Sequence, residues 1–88
     1  MSPRPSDDTA DQDPDASHRD QVRRALGQRI RTARVACGWT QRELAFVAGM
    51  HPAYVGSVER GESNIGFDNL ARIAEALGVS LAVLLRGV

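Results

Sequence analysis

Two short helical patterns separated by about three residues constrain the fold of this chain more than any other feature of its sequence. The stretch is TQRELAFVAGMHPAYVGSVERG, residues 40–61. Thr40 and Glu43 have the spacing of a capping box, so a helix begins directly after Thr40. It runs to about Ala48, because Gly49 suits the left-handed backbone that ends a helix.

The second pattern begins with a proline. Pro52 fits the first turn of a helix, because its missing N–H would be unpaired there. His51 is then the predicted N-cap, and the helix spans roughly 52–60. If the two helices cross steeply, their axes approach at Ala45, where a larger side chain would push them apart. The small residue at this position therefore predicts a close crossing.

Apolar spacing and caps predict three further helices. The first helix starts at Ser17, which has the spacing of a capping box with Asp20, and ends near Gly38. Its apolar residues recur at intervals of three and four: Val22, Leu26, Ile30, Ala33 and Cys37. The segment FDNLARIAEALG predicts a fourth helix, and SLAVLLRGV predicts a short fifth that Ser80 caps. No period-two alternation is present in the sequence, so the prediction is an all-α fold of five helices.

The N-terminal stretch differs in composition from the rest of the chain. Residues 1–20 hold six aspartates and two arginines, a net charge of −4, whereas residues 21–88 sum to +4. Residues 1–16 carry almost no apolar side chains and cannot bury enough surface to fold, so they are predicted to form a disordered acidic arm. The folded domain is predicted at 17–88.

Helical spacing separates a core face from an outer face in the two central helices. The predicted core residues are Leu44, Ala48, Met50, Val55 and Val58. The predicted outer residues are Pro52, Ala53, Gly56, Ser57 and Arg60, with Tyr54 at the edge. This outer face carries little apolar bulk, so the second helix projects a surface that can enter a groove of matching width. The DNA major groove, about 12 Å wide, is such a groove.

At these residues the sequence resembles the helix-turn-helix of the lambda-repressor and Cro-like regulators, also called the xenobiotic response element family. The resemblance covers about residues 24–86 and rests on residues in the family's spacing, namely Gln41, Ala45, Gly49, Val55, Val58 and the closing ERG. It implies a compact five-helix, lambda-repressor-like DNA-binding domain with its helix-turn-helix at 41–60. The segments YVGSVERG and NIGFDNLARIAEALGVS are especially similar to controller proteins of restriction–modification systems.

The resemblance also assigns roles to individual residues. The family's arginine late in helix one and glutamate ending helix three match Arg34 and Glu59, which implies a structural ion pair. The glutamine at the start of helix two matches Gln41 and implies a phosphate contact made together with the helix N-terminus. The DNA-binding candidates are Thr40, Gln41, Arg42, Pro52, Ala53, Tyr54, Ser57, Arg60 and Asn64. For Asn64, a plain turn residue is an equally good interpretation.

Few side chains of helix three can form hydrogen bonds to base edges, so direct readout is limited. The recognition positions early in helix three are Pro52, Ala53, Tyr54, Gly56 and Ser57, and none of these can bond guanine or adenine through two atoms. We therefore hypothesise that specificity rests partly on DNA shape and half-site spacing. Helix one also carries arginines that either line the DNA or form its solvated face: Arg23, Arg24, Arg29 and Arg31. The acidic arm either competes with DNA or is an inert solubilising tail.

A homodimer is expected because one such module makes few base contacts, and two of them read half-sites about one helical turn apart. The C-terminal segment has more apolar residues than one short helix needs, and a symmetric partner would cover the surplus. The predicted interface residues are Phe67, Leu81, Leu84, Leu85 and Val88. As an alternative for part of this set, Leu81, Leu84 and Leu85 complete the core of a single chain.

Other functional classes have weaker support. Cys37, His18 and His51 have neither metal-ligand spacing nor the arrangement of a nucleophile and base, so no enzyme, metal or other cofactor is expected. Cys37 is expected to pack in the core. The sequence has neither a membrane-length apolar run nor a secretory signal, so a cytoplasmic location without membrane contact is expected.

The predicted function is a bacterial or phage-type transcriptional regulator that binds double-stranded operator DNA. An activator would also contact RNA polymerase. The alternative is a protein-interaction module, such as an antitoxin or corepressor subunit, whose main partner is another protein.

Overall fold

The computed structural model describes residues 14–88, and the regular secondary structure in that range is entirely helical. The five helices are α1 (Pro14–Ala36), α2 (Gln41–Ala48), α3 (Pro52–Glu59), α4 (Phe67–Leu77) and α5 (Leu81–Leu85). The all-α, five-helix prediction is therefore confirmed for the described part of the chain. Most of the predicted acidic arm, residues 1–13, lies outside the described residues.

The start of α1 differs from the prediction. The helix begins at Pro14, so Ser17 lies inside it and does not mark its N-terminus. Residues 14–16, assigned above to the arm, belong to α1.

The boundaries of α2 and α3 follow the predicted local chemistry. The Glu43 amide donates to the Thr40 hydroxyl at 3.1 Å, and the Thr40 amide donates to a Glu43 carboxylate oxygen at 2.8 Å, which completes the capping box. Gly49 closes α2 in the left-handed region, with φ of 73°. The Ala53 amide donates to Nδ1 of His51 at 3.1 Å, so His51 caps α3 as predicted. Local hydrogen bonds and the left-handed Gly49 therefore determine where α2 begins and ends and where α3 begins.

One hydrophobic core joins all five helices. Its buried apolar residues are Leu26, Ile30, Leu44, Ala45, Ala48, Val55, Val58, Leu70, Ile73, Ala74, Leu77 and Leu84. Burial of each large aliphatic side chain contributes about 1.5–3 kcal/mol relative to exposure. Four of the five core residues predicted in α2 and α3 are buried, and Met50 is half-buried against them.

Two of the burial predictions made from the sequence are wrong. Cys37 is exposed, because it lies in the turn that follows α1 rather than on the helix face that the apolar spacing assumed. Gly56 was assigned to the outer face of α3 but is buried. A Cβ at Gly56 would lie 3.1 Å from both Nη1 of Arg60 and Oε1 of Gln41, so these two side chains cover it.

The contact between α1 and α3 is closer than a side chain would permit. A Cβ added at Gly27 would lie 2.5 Å from the Val58 carbonyl oxygen and would also collide with the carbonyl oxygen of Glu59. Real Cβ atoms essentially never approach backbone atoms this closely. Gly27 is therefore the residue that allows α1 to lie against the C-terminal end of α3.

Candidate nucleic-acid interface

A buried carboxylate holds the helix-turn-helix to α1. The Arg34 guanidinium bonds Glu59 through two nitrogens, with Nε at 2.6 Å from Oε2 and Nη2 at 3.0 Å from Oε1. Nη1 of Arg34 also donates to the Trp39 carbonyl at 2.7 Å. Glu59 is only 7% exposed, so this two-point geometry satisfies a charge that would otherwise be costly to bury. The structure thus brings together the two residues of the implied ion pair.

The ion pair also affects the ionisation of the arginine. The hydrogen bonds that Arg34 donates to Glu59 raise the pKa of the Arg34 guanidinium, burial opposes the rise, and the Glu59 charge adds to it. A basic group with a raised pKa in the folded state stabilises the fold at every pH below its unfolded pKa. This stabilisation is lost only as the pH rises through the folded value, far above neutrality. Arg34 therefore stays charged under ordinary conditions.

Gln41 joins the same group of side chains. Its Nε2 donates to Oε1 of Glu59 at 3.0 Å, so one carboxylate links α1, α2 and α3. This bond was not predicted from the sequence, where Gln41 was considered only as a phosphate contact. It leaves the second N–H of the amide and the N-terminal backbone of α2 to meet an anion. We call Arg34, Gln41 and Glu59 the frame residues.

The outer face of α3 is small and largely committed to internal hydrogen bonds. Ala53 is exposed, and Pro52, Tyr54 and Ser57 are half-buried. The Tyr54 hydroxyl accepts from Nδ2 of Asn69 at 3.2 Å, which leaves its own O–H free to donate. The Ser57 hydroxyl donates to the Tyr54 carbonyl at 2.9 Å and pairs with the Ser63 hydroxyl. Ser57 therefore has little capacity left to bond a base.

The candidate phosphate-contact residues surround this face. Thr40, Arg42, Arg60 and Asn64 are exposed, and Gln41 is half-buried. The Thr40 hydroxyl already caps α2, and Nε of Arg60 lies 3.1 Å from a Glu62 carboxylate oxygen. Both side chains of that second pair are more than half exposed, so water screens the attraction and Arg60 stays available to a phosphate.

The residues predicted for a dimer interface divide into two groups. Phe67 and Leu85 are 70% and 44% exposed, and Leu81 and Val88 are half-buried. Leu84 is only 1% exposed in the single chain, so its assignment to the interface is wrong. A five-residue helix turns Leu84 inward and Leu85 outward, and spacing alone did not separate them.

Two other kinds of site do not occur among the described residues. Within 14–88, no helix has the length and apolar character needed to cross a membrane. In the same range, no three or more histidine, cysteine, aspartate or glutamate side chains are grouped so that they could hold a metal ion.

Comparison with known proteins identifies the same motif. The helix-turn-helix family model matches residues 30–84. Control protein C.BamHI of Bacillus amyloliquefaciens is 37% identical over 59 residues, which are 66% of this chain and 73% of that protein.

Solved structures share both the fold and the sequence. The restriction-modification controller protein C.AhdI from Aeromonas hydrophila is 41% identical with a TM-score of 0.68, covering 69% of this chain and 92% of that one. The clp gene regulator ClgR from C. glutamicum is 39% identical with a TM-score of 0.71, covering 73% of this chain and 82% of that one. The chain therefore belongs to the helix-turn-helix family of DNA-binding transcription regulators and is related to restriction–modification controller proteins.

Proposed function

We propose that this protein is a sequence-specific transcriptional regulator that binds operator DNA as a homodimer, with α3 in the major groove. The observation that carries the proposal is the frame around α3. The Glu59 carboxylate ties α3 to α1 and α2 through Arg34 and Gln41, while the opposite face of α3 stays open. The protein acts without catalysis, in the cytoplasm where its DNA is found.

Few atoms of α3 are free to read bases. Ala53 can pack against a thymine methyl group, Tyr54 can donate one hydrogen bond, and Ser57 is occupied by internal bonds. Backbone contacts from α2 and the loop after α3 position the module but carry no base information themselves. Specificity should therefore depend partly on DNA shape and on the spacing of the two half-sites.

Binding to DNA upstream of its own gene tests the proposal. We expect tight binding by fluorescence anisotropy that survives a rise in salt, with a scrambled duplex of the same length bound weakly. In a base-by-base scan of the site, each change under α3 should cost less than about 3 kcal/mol, because direct readout is thin.

Two results would count against these statements. Equal, weak and strongly salt-dependent binding to both duplexes would mean that only phosphate attraction had been measured, and the regulator assignment would fail. Single base changes that each cost more than about 3 kcal/mol of binding free energy would instead contradict the hypothesis of limited direct readout, while the proposed regulator function would still stand.

Dimerisation is tested by placing a charge on the predicted interface. Leu85→Glu should convert the protein to a monomer in sedimentation equilibrium, since a symmetric contact would bury two carboxylates against apolar surface. Phe46→Glu is the matched control: Phe46 is 87% exposed on α2, outside the predicted interface, and its variant should keep the wild-type mass. A wild-type protein that stays monomeric at high micromolar concentration would rule out the dimer.

A protein partner is the second candidate function. Phe46 and Val47 are 87% and 51% exposed and adjacent on α2, and neither is one of the frame residues. An exposed apolar pair of this kind suits contact with RNA polymerase or with the toxin of an antitoxin pair. Loss of regulation by Phe46→Glu with unchanged DNA affinity would favour a partner at this position.

A further inference from the structure

We propose that Arg19 and Arg23 of α1 form, together with Asn64, a second phosphate-binding cleft that extends the DNA contact beyond the helix-turn-helix. The proposal rests on the proposed function, because it assumes that DNA lies along the open face of α3. The cleft has a volume of about 180 Å³ and is lined by Arg19, Val22, Arg23 and Asn64. Its three α1 residues precede residues 30–84, the range matched by the family model, whereas Asn64 lies within that range.

The cleft exists because α1 packs against the loop that follows α3. A Cβ placed on Gly61 would lie 2.7 Å from Cγ of Arg24 and 2.9 Å from its Cα, so the loop backbone lies directly on α1 at this residue. Gly61 has a φ of 76°, which a residue with a side chain rarely adopts. The next turn of α1 toward its N-terminus then faces Asn64. The N-terminal half of α1 thus adjoins the loop already identified as a phosphate candidate.

Helical spacing directs both arginines to the same side. Arg19 and Arg23 are four residues apart, about 6 Å along the helix axis, and Val22 lies between them on the face that meets the loop. Among the described side chains that line the cleft, none is acidic. The other α1 arginines have different surroundings: Arg24 packs under Gly61, and Arg29 donates to the Arg86 carbonyl at the C-terminal end of the chain.

An aspartate orients one of the two guanidinium groups. Nη1 of Arg23 lies 3.2 Å from a carboxylate oxygen of Asp20, which is one turn back along α1. A guanidinium has five N–H donors, so this single bond leaves most of them free. The pair is largely exposed and adds little to stability, so a phosphate can compete with Asp20 for the Arg23 guanidinium.

A phosphodiester fits the chemistry of this cleft. Two guanidinium groups supply charge and paired N–H donors, and the Asn64 amide supplies a further donor. Such contacts add affinity without sequence information, and each one strengthens the dependence of binding on salt. The cleft is therefore expected to hold the DNA backbone beside the loop after α3, whatever the base sequence.

The double variant Arg19→Ala/Arg23→Ala tests the proposal in the full-length protein. Anisotropy titrations with both the upstream duplex and a scrambled duplex, over a series of salt concentrations, give the slope of log K against log salt. With one phosphate bound per protomer, the slope should decrease in magnitude by about two for a dimer, and affinity should fall roughly 60-fold near 0.1 M salt on both duplexes. Arg19→Lys/Arg23→Lys should restore most of the slope, because a lysine keeps the point charge.

Arg72→Ala is the matched control, since Arg72 is an exposed arginine of α4 that neither lines the cleft nor belongs to the DNA-binding candidates. The slope of this control should stay at the wild-type value.

An unchanged slope and affinity in the double variant would overturn the proposal of a phosphate-binding cleft, whether or not the wild type prefers the upstream duplex. A loss confined to the upstream duplex would also overturn it, because phosphate contacts do not distinguish sequences. A missing preference in the wild type, with the slope change intact, would instead count against the proposed function alone.

Discussion

Replacing Arg34 with methionine is expected to destabilise the folded protein by about 3–5 kcal/mol, the typical cost of leaving one partner of a buried pair uncompensated. Glu59 would keep its bond from Gln41 but lose both bonds from the guanidinium, and its carboxylate is almost fully buried. The Trp39 carbonyl would also lose a donor. Urea unfolding followed by circular dichroism measures the change.

Two further variants distinguish the effect of an uncompensated buried charge on stability from the effect of lost side-chain packing. Arg31→Met removes an exposed arginine from the same helix and should change the free energy of unfolding by less than about 0.5 kcal/mol. Arg34→Met/Glu59→Met removes both charges and should recover a large part of the loss, since an apolar pair of similar volume is often as stable as a buried ion pair. A small effect of Arg34→Met alone would mean that water reaches Glu59 in solution.

Gly27→Ala is expected to destabilise the protein by about 2–3 kcal/mol, although alanine is the better helix former by about 1 kcal/mol. The added methyl group would press on the backbone carbonyl oxygens of Val58 and Glu59, and backbone atoms in a packed helix cannot move aside as a flexible side chain can. For a domain of this size, the melting temperature should fall by roughly 10–20 °C.

The control for this change is Gly66→Ala. A Cβ at Gly66 meets no atom within 4 Å, and the backbone there has φ of −79°, which alanine adopts easily. Its cost should stay below about 1 kcal/mol, the usual effect of alanine at an N-cap. A rise in melting temperature for Gly27→Ala would contradict the close approach of α1 and α3 and would show that helix propensity decides at this position.

Local chemistry explains which parts of the fold could be predicted from the sequence. The capping box at Thr40, the His51–Pro52 start of α3 and the left-handed Gly49 each depend on atoms within a few residues. The sequence therefore contains what is needed to place them. The roles of Arg34 and Glu59 came from family resemblance, because 25 residues separate the two and no local pattern connects them.

The features that were predicted wrongly, or not predicted at all, all depend on tertiary contacts. Gly56 has no side chain whose polarity could indicate burial, and its environment is set by Arg60 and by Gln41 from another helix. Leu84 and Leu85 are both leucines in a helix too short to show a period, so only packing against α1 and α4 distinguishes them. The cleft at Arg19 was not found either, because it forms only where α1 meets a loop that lies 40 or more residues further along the chain.

The frame residues separate two kinds of position in the helix-turn-helix. Some positions can be substituted only together with a partner residue, and others can be substituted singly. One carboxylate serves both Arg34 and Gln41, so a substitution at Glu59 leaves both without that acceptor, and a substitution at Arg34 leaves the buried carboxylate without its charged partner. Pro52 and Ala53 have no side-chain bond to that group. Under the proposed function, an altered operator preference can therefore accumulate at the start of α3 by single substitutions, while the frame residues beneath it diversify only by compensated pairs. In this architecture, the evolution of recognition is separated from the maintenance of the fold.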